Sequence, residues 1–355
     1  MRIDRIRERL RAAGARTCHE DAVLRAWTHA LPLTSGARAA EHFLPLSLRR
    51  TLPDIAAELD LLARVSEEHL GHDGSARLLV ALSNGRTVES VLLPPHGVCV
   101  STQIGCAVGC AFCMTGRDGL QRQLGSAEIV AQVVLARSRR TVRKVVFMGM
   151  GEPAHNLDNV LDAIHVLGTL GAIGHKDLVF STVGDRRVFA RLPEGPVKPA
   201  LALSLHSTFA QRRAELLPRA ARIDPAELVE LGEGYARATG YPIQYQWTLL
   251  DGINDGDDEL DRIVGLLAGK YAVMNLIPYN TVAGFGFRRP PLERAESMAR
   301  RLCARGILTK LRQSAGQDID GGCGQLRARS IATPGYPVHS GSLPRETGPI
   351  SEYSP

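Results

Sequence analysis

Aromatic residues are scarce in this chain, at 5%, with two tryptophans among them. So few rings argue against a platform on which successive bases of a single strand would stack. Long apolar runs are also missing, so no stretch reads as a membrane-spanning helix. Met1 to Arg16 is charged throughout and lacks the apolar centre of a secretion signal. The cytoplasm is therefore the expected location, with no membrane partner. No self-similarity at a solenoid period is present. Acidic excess is absent too: 43 basic against 37 acidic residues give a net charge of +6 and a pI near 9.1. That balance fits a polyanionic partner held through phosphate contacts, although runs such as Arg137, Arg139, Arg140, Arg143 and Lys144, or Arg288 and Arg289, also suit solvated faces.

Cysteine is sparse and unevenly placed. Three of the seven fall in Gly105-Cys106-Ala107-Val108-Gly109-Cys110-Ala111-Phe112-Cys113, at C-x3-C-x2-C spacing, which does not look like a secreted disulfide framework. Thiolates so spaced can close around one iron–sulfur cluster. A full ligand set is four, so Cys106, Cys110 and Cys113 would leave one iron for another ligand. Zinc fits less well, because structural zinc sites close with four ligands and no second half stands nearby. Gly105 and Gly109 suit a backbone that wraps a cluster closely.

At 355 residues and 44% hydrophobic content, the chain can bury one large domain and a smaller one. Residues 1–71 read as a helical unit, with loops at Pro32 and Pro53 between helices. Residues 72–96 read as a β-hairpin around Ser83-Asn84-Gly85-Arg86. From Gly97 to 329 strands and helices alternate. The strands expected are 98–102, 144–148, 178–182, 200–205, 243–249 and 272–277, with a seventh at 308–312. The helices expected are 127–137, 157–170, 225–238, 257–267 and 292–305. Repeated βα units imply an α/β fold with a parallel sheet, a partial (βα)6 barrel of TIM type, with its chemistry at the C-terminal strand ends. The Pro-, Gly- and Ser-rich tail 330–355 reads as disordered.

Residues suited to binding stand at those strand ends. Met148-Gly149-Met150-Gly151-Glu152-Pro153 offers close backbone approach at Gly151 and a carboxylate for an ammonium group at Glu152. Ser181-Thr182, Ser204-Leu205-His206 and Pro278-Tyr279-Asn280 end three further strands with groups that suit ribose and adenine edges. Cys99 lies in the first barrel strand, and Cys323 lies in the glycine-flanked loop Asp318-Ile319-Asp320-Gly321-Gly322-Cys323-Gly324-Gln325-Leu326. Cys18 and Cys303 have no such setting.

The cysteine triad and the Gly151-Glu152 segment resemble the radical S-adenosylmethionine (SAM) superfamily. There three cysteines hold a 4Fe–4S cluster, and the amino and carboxylate groups of SAM bind its fourth iron. From about Glu89 to Leu326 the chain resembles the RlmN/Cfr family of radical SAM RNA methyltransferases, which methylate an adenine ring carbon. The matching stretches are Cys99-Val100-Ser101-Thr102-Gln103-Ile104-Gly105-Cys106, Met148 to Pro153, Leu203-Ser204-Leu205-His206, Asn275-Leu276-Ile277-Pro278-Tyr279-Asn280 and the Cys323 segment. The resemblance implies a 4Fe–4S cluster on Cys106, Cys110 and Cys113. It implies SAM on Gly151, Glu152, Ser181, Ser204, Leu205, His206 and Asn280.

It further implies two SAM molecules per turnover. Cys323 would carry the methyl group, Cys99 would resolve a protein–RNA adduct through a transient disulfide with Cys323, and Glu89 would accept the ring proton. The implied substrate is an adenine of 23S rRNA or of tRNA, at carbon 2 foremost and carbon 8 otherwise. An electron donor of the flavodoxin or ferredoxin kind and a monomeric state are also expected. Beyond Gly184 the chain departs from the commoner family form, and Asp185, Arg186 and Arg187 are expected at the site's mouth. Two rivals stay open on the residues alone. One is a radical SAM enzyme acting on a protein or small molecule, and the other is a non-catalytic RNA-binding or electron-transfer iron–sulfur protein.

Overall fold

The computed structural model describes residues 1–282 and 284–328. The expected tail at 330–355 lies outside the described residues. Four helices come first: α1 (Ile3–Ala12), α2 (Thr17–Thr28), the single turn α3 (Ala40–Phe43) and α4 (Leu46–Leu62). The longer ones each turn an apolar stripe inward, such as Ile3, Ile6 and Leu10 of α1 and Leu48, Leu52, Ile55, Leu59 and Leu62 of α4. Pro53, expected in a loop, lies inside α4. It removes one internal N–H, while buried Leu52 and Ile55 on either side keep the helix on the core.

The expected all-helical character of residues 1–71 also fails at its end. Ala63–Leu70 forms strand β1, exposing every second residue and pairing antiparallel with β2 (Ala76–Leu82). Its helix-favouring Ala63, Glu67 and Glu68 follow α4 without a break, which hides the period of two. With β3 (Thr87–Leu93) the hairpin becomes a three-stranded meander.

Strand β4 (Gly97–Cys99) joins this meander to the parallel region, pairing antiparallel with β3 and parallel with β7. Two short strands, β5 (Gln103–Gly105) and β6 (Leu120–Gln123), form a separate ribbon that flanks the cysteine loop. Then follow α5 (Ser126–Arg137), β7 (Lys144–Phe147), α6 (Leu157–Thr169), β8 (Leu178–Thr182), α7 (Arg186–Arg191), β9 (Ala200–Ser204) and α8 (Ala210–Leu216). The rest are α9 (Pro225–Thr239), β10 (Ile243–Leu249), α10 (Asp257–Leu267), β11 (Ala272–Pro278), α11 (Leu292–Ala304) and β12 (Thr309–Leu311).

The main sheet runs β1-β2-β3-β4-β7-β8-β9-β10-β11-β12, and each neighbouring pair from β4 to β12 is parallel. This is the expected partial (βα)6 barrel with the seventh strand in place. Phe147, Phe180, Leu201, Tyr245, Trp247 and Leu276 share one face of the sheet and are fully buried, while the alternate residues, such as Val146, Val179 and Gln246, face a cavity. The two ends of the chain's sheet are tied together by polar contacts. The carboxylate of Asp318 accepts the His72 N–H at 3.0 Å, and Asp73 accepts the Gly316 N–H at 2.9 Å. The β1–β2 turn thus holds the segment that leads to Cys323.

Candidate active site

A cavity of about 810 Å³ runs through the barrel. At the C-terminal strand ends it is lined by Cys106, Cys110, Cys113, Gly151, Glu152, Ser181, Ser204 and His206. Cys99 and Cys323 face it too, and at its other end stand His96, Arg143 and Lys144. The structure therefore gathers most of the expected site residues onto one wall. Three of them are not on it. Leu205 is fully buried in the core, and its N–H donates to the Gln246 carbonyl at 3.1 Å. Asn280 instead holds a loop, its amide donating to the Cys323 carbonyl at 3.0 Å and to Ser314 Oγ at 2.9 Å. Glu89 is fully buried, bound to Arg77 and accepting the Arg327 N–H at 2.8 Å. Arg327 follows Leu326, a cavity-lining residue, so Glu89 stands just behind the wall.

The cysteine loop is built by close backbone packing. Gly105 has φ +73°, and a Cβ there would collide with the Gly119 carbonyl. Burial raises the thiols of Cys106 (to about 12), Cys110 and Cys113, and for Cys106 and Cys110 a neighbouring thiolate of the triad adds to the rise. No three donors among the described residues converge as they would on a single ion. Three cysteines spread around one cavity fit the perimeter of a cluster better than a mononuclear site.

The Cys323 loop is laced directly onto this cysteine loop. Met114 N–H donates to the Gly324 carbonyl at 2.8 Å, and Thr115 Oγ1 donates to the Leu326 carbonyl at 2.6 Å across 211 residues of sequence. Cys323 is exposed, and its exposure is towards the cavity. Burial in the barrel raises its thiol, with Ser314 and Arg312 opposing the rise. Cys99 is pushed up to about 12, first by burial and then by the nearby Cys323 thiolate. The two sulfurs are therefore electrostatic neighbours.

Glu152 is the second anchor. Its carboxylate accepts N–H bonds from Ala154 at 3.1 Å and Val183 at 3.0 Å, and its own N–H donates to Gln103 Oε1 at 2.8 Å. A Cβ on Gly151, which has φ +106°, would lie 2.6 Å from the Gln103 side chain, so only glycine allows this approach. Burial raises the Glu152 carboxyl to about 7 despite those hydrogen bonds. An ammonium group arriving there restores the carboxylate.

His206 is held in a left-handed conformation with φ 61°. Its Nδ1 accepts the Thr248 N–H at 3.0 Å, which leaves Nε2 to carry the proton. Burial, and then Arg213, lower its pKa to about 3, so the ring is a neutral donor at every physiological pH. Asn254, which the sequence reading missed, fixes this turn. Its amide donates to the His206 carbonyl at 2.7 Å and the Thr248 carbonyl at 2.8 Å, and its Oδ1 accepts the Leu250 N–H at 2.8 Å. An Asp-Gly turn at the end of β10 marks the position in sequence. Asn254→Ala is expected to cost about 2–3 kcal/mol in denaturant unfolding, because three buried partners lose their bond at once.

Gln103 and Arg213 were missed as well. Arg213 is 4% exposed and braces the Val183 and Ser204 carbonyls, joining the ends of β8 and β9. The residues expected at the mouth beyond Gly184 are not on the cavity wall, although Arg187 donates to the Ala154 carbonyl, two residues from Glu152, at 3.3 Å. Asp185 caps α7 and pairs with Arg187, and Arg186 pairs with Glu227.

Comparison with known proteins bears on this geometry. Residues 100–264 match the Radical SAM superfamily model. A probable RNA methyltransferase of Aromatoleum aromaticum is 75% identical over 333 residues, covering 94% of either chain. The chain belongs to the radical SAM RNA methyltransferases. A second such relative, from Leptothrix cholodnii, is 69% identical over 332 residues, covering 94% of this chain and 96% of its own. The crystal structure of a radical SAM methyltransferase from Sphaerobacter thermophilus superposes with a TM-score of 0.80 at 34% identity, covering 93% of this methyltransferase and 98% of that chain. The family implies SAM and a 4Fe–4S cluster. Among the described residues no helix is long and apolar enough to cross a membrane.

Proposed function

We propose that this methyltransferase acts on RNA, at an adenine ring carbon, with Cys323 as methyl carrier and two SAM molecules consumed per turnover. Carbon 2 is the foremost position and carbon 8 the alternative. 23S rRNA is the foremost substrate, ahead of tRNA. The observation that supports this most is the meeting of Cys99 and Cys323 on the cavity that also holds the cysteine triad. A binding protein or a one-electron iron–sulfur carrier would leave this pair of thiols, outside the triad, without a role.

Cys106, Cys110 and Cys113 would hold the cluster, and Gly151, Glu152, Ser181, Ser204 and His206 would hold SAM. When bound, these groups supply the methyl group and the one-electron chemistry needed at a carbon that is not a nucleophile. Glu152 accepts a hydrogen bond from the amino group of SAM, and the neutral His206 offers its Nε2–H to an acceptor. Leu205 would contribute only through its backbone. Asn280 acts through the Cys323 loop, which it fixes to Ser314. Arg312 and Ser314 favour the Cys323 thiolate against burial, which is the form that accepts a methyl group. Cys99 then frees the product by forming a disulfide with Cys323, which a dithiol reductant reopens by exchange, while a donor of the flavodoxin or ferredoxin kind would supply the electron for the cluster. The protein works as a monomer in the cytoplasm, with the helical N-terminal residues as an accessory unit.

Mass spectrometry of the Cys323 peptide tests the carrier role. Protein with its cluster rebuilt anaerobically and incubated with SAM should gain one methyl group on Cys323, and Cys323→Ala should gain none. An unmodified Cys323 in protein that cleaves SAM would remove the carrier role. A pH dependence follows from Glu152. Its raised pKa leaves it protonated below about 7, and a protonated carboxyl is a poorer acceptor for the amino group of SAM. SAM affinity, measured by equilibrium dialysis, should fall as pH drops through about 7 and level off above it, and Glu152→Gln should flatten the profile.

A further inference from the structure

The cavity has two ends of different chemistry. The end at the C-terminal strand tips carries the cysteine triad and Glu152. The opposite end is lined by Pro94, His96, Gly97, Arg143, Lys144 and Gln244, at the starts of β4, β7 and β10. The Arg143 and Lys144 N–H groups both donate to the His96 carbonyl, at 2.8 and 3.1 Å, so one rim gathers these three side chains. All three are exposed. Within the basic run that includes them, Arg139 is paired with Glu68, and Arg140 is turned onto the Gly74 carbonyl. Arg143 and Lys144 make no ion pair among the described residues, and they are the members of the run that face the cavity.

Depth matches a nucleoside. Gly97 pairs with Lys144 and Cys99 with Val146, so Cys99 stands two residues inside the rim. At the usual rise of a strand that is about 7 Å. A base reaching that depth would meet Cys99 and Cys323, while its phosphates stayed at the mouth. Asp177 stands on the same rim at the end of the turn before β8, and its charge disfavours phosphate on that side. Asp73 also lines the cavity, but its carboxylate is taken up by the Ser75 and Gly316 N–H groups.

We infer that the RNA strand docks at this N-terminal mouth, with Arg143 and Lys144 holding the phosphates that flank the target nucleoside. This rests on the RNA reading above and adds the direction of entry. Cofactor and substrate then approach the two cysteines from opposite ends of the barrel, and neither blocks the other.

The test compares basic residues near the two ends. Arg143→Ala/Lys144→Ala removes the cations of the proposed mouth. Arg288→Ala/Arg289→Ala removes those near the other end, where Arg288 pairs with Asp251 just after β10. Binding of 23S rRNA and tRNA transcripts is measured against salt concentration. The first double variant should lose at least about 10-fold in affinity, and its log–log salt slope should shrink by about 1.4, as for two single-strand phosphates. The second should bind as the wild type does. Both pairs are exposed or half-buried, so unchanged melting temperatures and iron contents will show that folding is intact. A wild-type salt slope in Arg143→Ala/Lys144→Ala, or a loss confined to the other pair, overturns the docking direction. A wild-type Cys323 that takes no methyl group, with no RNA bound, instead overturns the reading on which it rests.

Discussion

Cys99→Ala is expected to stop turnover with the protein covalently joined to its RNA. On the proposed route methylated Cys323 would first become bonded to the ring carbon, and the adduct would then need a second thiol close enough to take over the Cys323 sulfur. Among the described cysteines Cys99 is the one that meets this need. It faces the cavity, its thiol is raised partly by the Cys323 thiolate, and it belongs to no ligand set. Losing it should cut release of methylated RNA by about 10³-fold or more, as expected when an essential group is removed. The adduct should appear on a denaturing gel as a band that ribonuclease collapses. Cys323→Ala, and the double variant with Cys99→Ala, should give no such band. Free methylated RNA released from Cys99→Ala at the wild-type rate would exclude the resolving role.

Much of this site was legible in the sequence because its residues stand at ends of regular elements. The cysteine spacing, the glycine before Glu152 and the seryl ends of β8 and β9 each mark a backbone position, and backbone positions follow from periodicity. What stayed hidden depends on packing across the chain. Asn254 and Arg213 act through carbonyls on other strands, and no local pattern announces such partners. Asn280 was read at the right strand end, but its amide turns to the Cys323 carbonyl instead of into the cavity. Strand β1 was hidden for a different reason. Its alternation is carried by residues of high helix propensity directly after a helix, and pairing with β2 decides the outcome.

Glu89→Gln is the substitution that separates structure from chemistry at the buried end of β3. Glu89 is bound to Arg77 and to the Arg327 N–H, so a glutamine keeps its shape but turns an NH2 group towards a donor. That mismatch should cost about 1–3 kcal/mol in denaturant unfolding. If Glu89 also takes the ring proton, Glu89→Gln will still methylate Cys323 and still form the RNA adduct, yet it will not resolve it. Its gel should then resemble that of Cys99→Ala. A purely structural Glu89 would give a less stable protein whose adduct resolves at the normal rate. For the carboxylate to reach substrate, the Arg327 N–H has to let go, because it holds Glu89 while Leu326, the residue before it, lines the cavity and Glu89 does not. Hydrogen exchange at the Arg327 amide should therefore accelerate when RNA binds, and unchanged exchange would confine Glu89 to holding the C-terminal segment in place.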